Sequence, residues 1–219
     1  MSIKSNLQEV KKSLHSNVEL VAVSKYHTIE AVQEAYEAGQ RVFGESREQE
    51  LRLKHDALPK DIEWHFIGHM QTNKVKYIAP YISMIEAVDS LKLMMEIEKQ
   101  AAKHERTIDI LLELHLAQEE TKSGMLPSEC LAMLESGEWR ALSHVRICGI
   151  MMMASNTDNE AQIRSEFLKA QELFLTIKQR YFASDDAFRI RSYGMSGDYL
   201  IAQECGSNHV RVGSRIFNT

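Results

Sequence analysis

Short runs of apolar and β-branched residues alternate along the chain with longer stretches in which apolar positions recur every three or four residues. This is the pattern of repeated strand–helix units on a parallel sheet. Eight such runs occur, at residues 19–25, 41–44, 63–67, 82–87, 108–114, 145–151, 188–193 and 209–212. Helical periodicity fills 28–38, 90–103, 126–135, 159–181 and 197–204. A further amphipathic stretch leads the chain, with Ile3, Leu7, Val10 and Leu14 at helical spacing. Thr28, Ser90 and Asp198 stand where N-caps belong, since their side-chain oxygens can accept the unpaired amides of a first helical turn. Eight strands with interleaved helices and a leading N-terminal helix predict an α/β fold of the (β/α)8 TIM barrel type. A doubly wound open sheet is the alternative. No Pro-, Gly- or Ser-rich stretch marks a linker, so one domain over 1–219 is expected.

Composition narrows the function classes. Apolar residues make up 44% and charged residues 26%, with 3 Pro, which is a globular balance. Lys and Arg total 26 against 31 Asp and Glu, without a basic block, so a nucleic-acid footprint is missing. The three cysteines, Cys130, Cys148 and Cys205, are widely spaced and lack a CxxC pair, which argues for a reducing compartment and against a cysteine zinc site. The leading segment has no signal-peptide h-region, and the most apolar stretch, 147–154, is far too short to cross a bilayer. A cytoplasmic protein, free of membrane and nucleic acid, is expected.

In a barrel, chemistry belongs at the C-terminal ends of the strands. Lys25 closes the first run there. An ammonium in a crowded barrel mouth would be partly desolvated, which favours the free amine that Schiff-base chemistry needs. The competing reading is a solvated lysine at a strand end. After the third run, the polar cluster His65, His69, Gln71, Asn73 and Lys74 could line a site. Strand alternation turns Trp64 and Phe66 to one side and His65 inward. Glu63, His65 and His69 do not have HExxH spacing, so a zinc site is disfavoured. Gly194-Met195-Ser196-Gly197-Asp198 and Val210-Arg211-Val212-Gly213-Ser214 follow the seventh and eighth runs, where barrels commonly build phosphate sites. Ordinary turn glycines are the other reading. Neither segment is a P-loop or a GxGxxG fingerprint, and no GxSxG elbow occurs. Glu113, His115 and Lys122-Ser123-Gly124 receive no catalytic role, and Met151-Met152-Met153 is read as core.

Several of these segments, read in order, resemble the pyridoxal phosphate homeostasis protein family. They are Ala22-Val23-Ser24-Lys25, Phe43-Gly44-Glu45 with Gln49-Glu50, and Trp64-His65-Phe66-Ile67-Gly68-His69-Met70-Gln71-Thr72-Asn73-Lys74. Lys122-Ser123-Gly124, Gly149-Ile150-Met151, Gly194-Met195-Ser196-Gly197-Asp198 and residues 210–217 complete the match. The resemblance implies a barrel like the N-terminal domain of alanine racemase, with pyridoxal 5′-phosphate (PLP) held as a Schiff base on Lys25. It also implies that Ser196, Gly213 and Ser214 bind the phosphate and that Arg211 faces the pyridine nitrogen; His65 completes the expected cofactor set. A cation at that nitrogen disfavours its protonation and weakens the ring as an electron sink. The chain ends soon after the eighth run, so a closing second domain is not expected. A non-catalytic, monomeric PLP carrier in vitamin B6 homeostasis is therefore expected, with PLP-dependent apoenzymes as recipients. A small racemase or decarboxylase is the alternative. Ser46 stands where the family usually has Asn, which bears on cofactor affinity or ring tilt.

Overall fold

The structure is a computed structural model that describes residues 2–118 and 123–218. Eight parallel strands close into a barrel in sequence order. They are β1 (Glu19–Val23), β2 (Val42–Glu45), β3 (Glu63–Phe66), β4 (Met84–Val88), β5 (Ile108–Leu114), β6 (Val145–Met152), β7 (Ile190–Met195) and β8 (His209–Val212). Around them lie α1 (Ile3–Ser13), α2 (Ile29–Glu37), α3 (Glu48–Ala57), α4 (Val75–Ile78), α5 (Leu91–Lys103), α6 (Pro127–Ser136), α7 (Glu160–Tyr181), α8 (Tyr199–Glu204) and α9 (Ser214–Phe217). The architecture is the TIM barrel expected, and the open-sheet alternative falls because β1 pairs with β8 from Glu19↔His209 to Ala22↔Val212.

Strand alternation divides the apolar residues into two cores. Met84, Ala87, Leu111, Cys148, Met151 and Ile190 fill the barrel interior. Residues of opposite phase, such as Ala22, Phe43, Trp64, Phe66, Ile110 and Val210, join the helices in the larger outer layer. α1 extends that layer by packing against α2 and α9, with Leu7 and Val10 buried, and Asn6 Nδ2 donates to the Ile216 carbonyl at 3.1 Å. Each such buried aliphatic side chain contributes about 2 kcal/mol. β6 crosses closest to β7 at Gly149, where a Cβ would lie 1.8 Å from the Ile190 carbonyl oxygen, so no side chain can be accommodated there.

Thr28 and Ser90 cap α2 and α5 as expected, accepting from the amides of Ala31 and Leu93. Asp198 takes the N-cap position of α8 as expected, but its side chain makes no capping bond; the carboxylate turns back and accepts from the Met195 amide. The runs at 82–87 and 188–193 begin before their strands. Ile82 closes the turn after α4, and Phe188 belongs to a stack with Phe174 and Phe182; both are buried and mimic strand sequence. Among the described residues no helix is long and apolar enough to cross a membrane.

Candidate functional site

β1 ends at Val23, earlier than its apolar run implies, because the chain turns at Ser24: the His27 amide donates back to the Ser24 carbonyl, and Tyr26 adopts a left-handed φ of 67°. Lys25 therefore stands two residues beyond the strand, exposed, with Nζ 5.9 Å from the Tyr26 ring centroid. Its side chain is thus exposed rather than crowded into the barrel mouth as expected. Its backbone, however, is held on both sides. Lys54 Nζ, buried on α3, donates to the Ser24 carbonyl at 2.7 Å, and Glu50 accepts from the Tyr26 amide at 2.9 Å. Lys54 also donates to Glu45 at 2.6 Å, the same oxygen that accepts from Ser24 Oγ.

Across the closing seam, Gly213 follows β8 and lies against Val23, where a Cβ would come 2.8 Å from the Val23 carbonyl oxygen. The Gly213 amide donates to Ser196 Oγ at 3.1 Å, which joins the loops after β7 and β8. Arg215 Nε reinforces that junction by donating to the Ser196 carbonyl at 2.6 Å. Ser214 is exposed at the first position of α9, and the first amides of a helix have no partner within it. A cleft of about 630 Å³ opens beside this junction, lined in part by Met153, Asn156, Met195, Gly197 and Asp198. The third methionine of the 151–153 run thus lines a cleft, while Met151 and Met152 are core.

Arg211 is buried within β8. Its guanidinium donates to the Ser192 carbonyl at 2.7 Å, to Ser192 Oγ at 2.6 Å and to the Met152 carbonyl at 2.9 Å. Glu86, on β4 and also fully buried, lies 3.7 Å from it, accepts from Ser192 Oγ at 2.5 Å, and meets His65 Nδ1 at 2.7 Å. Burial alone would raise the Glu86 carboxyl, but His65, Arg211 and Ser192 together bring it down to about 2. Burial lowers the Arg211 guanidinium, and the Glu86 charge opposes that.

Of the expected residues, the barrel brings Lys25, Ser196, Gly213 and Ser214 to the strand-end face on the adjacent strands β7, β8 and β1, with Arg211 beneath them. His65 is inward, as expected, but it lies behind Glu86 and lines the cavity of about 800 Å³ at the opposite, strand-start mouth, together with Glu19, Glu63 and His209. Its approach to the strand-end face runs through Glu86. Glu63, His65 and His69 do not converge, since His69 is exposed and 3.7 Å from Asp89. Lys122 lies outside the described residues. Ser123 donates to Glu113 at 2.6 Å, and burial raises the Glu113 carboxyl. Ser46 lines a cleft of about 440 Å³ with His69, Gln71 and Lys74 on the same face. Glu86, Ser192, Lys54, Glu50 and Arg215 escaped the sequence reading; all but Lys54 lie within the runs or matched segments, but nothing in their spacing ties them to Lys25 or Arg211.

The alanine racemase N-terminal domain family matches the chain over residues 1–219. The pyridoxal phosphate homeostasis protein of Helicobacter pylori is 35% identical over 207 residues, covering 94% of this chain and 89% of that protein. Its Schizosaccharomyces pombe counterpart is 33% identical over 226 residues, covering 99% and 90%. The chain belongs to the pyridoxal phosphate homeostasis protein family. The family member PipY of Synechococcus elongatus, solved without PLP, superposes with a TM-score of 0.92 at 31% identity, covering 99% of this chain and all of PipY. PipY solved with PLP bound gives 0.89 at 30% identity. Alanine racemase of Clostridium difficile shares the fold, with a TM-score of 0.78 at 14% identity over 98% of this chain and 55% of the racemase.

Proposed function

We propose that this chain holds PLP through Lys25 and exchanges or delivers it, without turning over amino acids itself. The observation that carries this reading is the seam between β8 and β1, where an exposed amine, a glycine that admits no Cβ, and two serine hydroxyls share one face of the barrel. The residues fit the group: Lys25 supplies the amine, the amides at the start of α9 and the hydroxyls of Ser196 and Ser214 suit a phosphate, and Arg211 offers a buried cation beneath. PLP supplies an aldehyde that condenses with amines and a ring that draws electrons from them. Lys25 would hold the aldehyde carbon of PLP through its Nζ, the aldehyde oxygen leaving as water with the two amine protons. The clamp on Ser24 and Tyr26 fixes where the lysine starts, while its exposure leaves the bond open to an incoming amine. Arg211 withholds a proton from the ring nitrogen, which suits holding over carbanion chemistry. The names of the relatives favour homeostasis over catalysis, and three buried free cysteines suit the reducing cytoplasm.

The test is an absorbance spectrum of the protein loaded with PLP, before and after borohydride, with mapping of the modified peptide. A yellow adduct fixed to Lys25 and lost in a folded Lys25→Ala variant is expected. Attachment elsewhere, or no uptake of PLP, overturns the reading. Deuterium exchange at the α-carbon of added amino acids then separates carrier from enzyme, and exchange at a catalytic rate would favour a racemase.

A further inference from the structure

The side chains inside the barrel form a column in which hydrogen donation converges on Glu86 from both sides. Arg211 donates to Ser192 Oγ, Ser192 Oγ donates to one oxygen of Glu86, and the other oxygen faces His65 Nδ1. A serine hydroxyl has one proton, so once it serves Glu86 its lone pairs are free for Arg211. An ionised Glu86 can only accept, which assigns the Nδ1 proton to His65. Two further Arg211 bonds end on backbone carbonyls of β6 and β7. Three of the five guanidinium donors are thereby committed, leaving Nε–H and one terminal N–H without a partner among the described residues.

We infer that Glu86 is a positioning residue, with His65 as its support: together they hold Arg211 in one orientation, so that its two free donors are presented to the ring of the bound cofactor. The inference rests on the reading that Arg211 faces that ring. Among the described residues Glu86 is the carboxylate within 4 Å of the buried Arg211 guanidinium, and a buried cation without a partner is strongly disfavoured. His65 keeps the carboxylate from rotating away, and its opposite edge reaches the strand-start cavity, so the column runs from one mouth of the barrel to the other.

The experiment uses the full chain with and without PLP. In the apoprotein, the Arg211 terminal N–H groups bonded to Ser192 and Met152 should give a resolved, slowly exchanging nitrogen-15 NMR signal that is lost or broadened in Glu86→Gln, a shape-conserving change. In the loaded protein, the same variant should shift the absorption band of the bound cofactor. His65→Leu should reproduce both effects, and His65→Asn, whose amide can replace the Nδ1 donor, should restore both. Circular dichroism melting confirms that each variant is folded. An Arg211 signal unchanged in folded Glu86→Gln and His65→Leu overturns the inference. If the signal is lost while the cofactor band stays fixed, the positioning stands and the placement of Arg211 at the ring is what falls.

Discussion

Glu45 and Glu86 are both fully buried, two strands apart, yet the barrel holds them in different ways. Glu45 points outward from the end of β2 into the layer under α3, where one oxygen takes both Lys54 and Ser24 and the other is buried with no partner. Burial outweighs Lys54, and its carboxyl is raised. Glu86 points inward, has both oxygens engaged by His65 and Ser192, and is lowered to about 2 despite complete burial. A single opposite charge at 2.6 Å is therefore not what keeps a buried carboxylate ionised. At Glu86 donors on both oxygens act together with the charges of His65 and Arg211.

The largest expected break in this comparison is Glu86→Ala, which leaves Arg211 buried and unpaired and should cost about 3–5 kcal/mol in urea unfolding. A loss under about 1 kcal/mol would erase the distinction between the two glutamates. Lys54→Met should cost less, about 1–3 kcal/mol at neutral pH, because Glu45 can take up a proton once its partner is gone. A carboxyl raised in the folded state contributes stability that is lost as pH rises through its folded value. The Lys54→Met deficit should therefore widen from pH 5 to pH 8, and a flat difference would contradict the raised Glu45.

His209 sharpens the contrast from the interior side. Burial lowers its imidazole from the ordinary 6.5 to about 4. Its contribution is fully present above pH 6.5 and is lost as pH falls through about 4, so the wild type should lose about 3 kcal/mol across that window. His209→Asn should flatten that limb and keep the loss below pH 4.5, where Glu86 begins to be protonated in the unfolded chain. Smallest of all, Glu45→Gln should change stability by under about 1 kcal/mol, because the amide oxygen can still accept from Lys54 and Ser24.

The strands were legible because strands buried on both faces read as apolar runs, and β5 and β8 match their expected bounds. α3 was hidden, since Lys54, on its buried face, looks like a surface residue. Lys25, Ser196, Gly213 and Ser214 could be placed together because each follows a strand that the pattern identifies. Glu86 could not be tied to them: its partners His65 and Ser192 lie 21 and 106 residues away, and only barrel closure brings them together. The exposure of Lys25 was equally hidden, because it depends on a turn set by Ser24 and Tyr26 rather than on the apolar run before it.

The seam between β1 and β8 also orders events in time. Lys25 leaves the ribosome well before Gly213, which follows the strand that pairs with β1 across the seam. A nascent chain with seven strands complete carries the reactive amine but none of the last-strand groups proposed to anchor a phosphate. On the proposed reading, retention of the ligand waits for the last strand, and a stop codon before His209 would remove the β1–β8 pairing and the proposed phosphate anchor in one stroke.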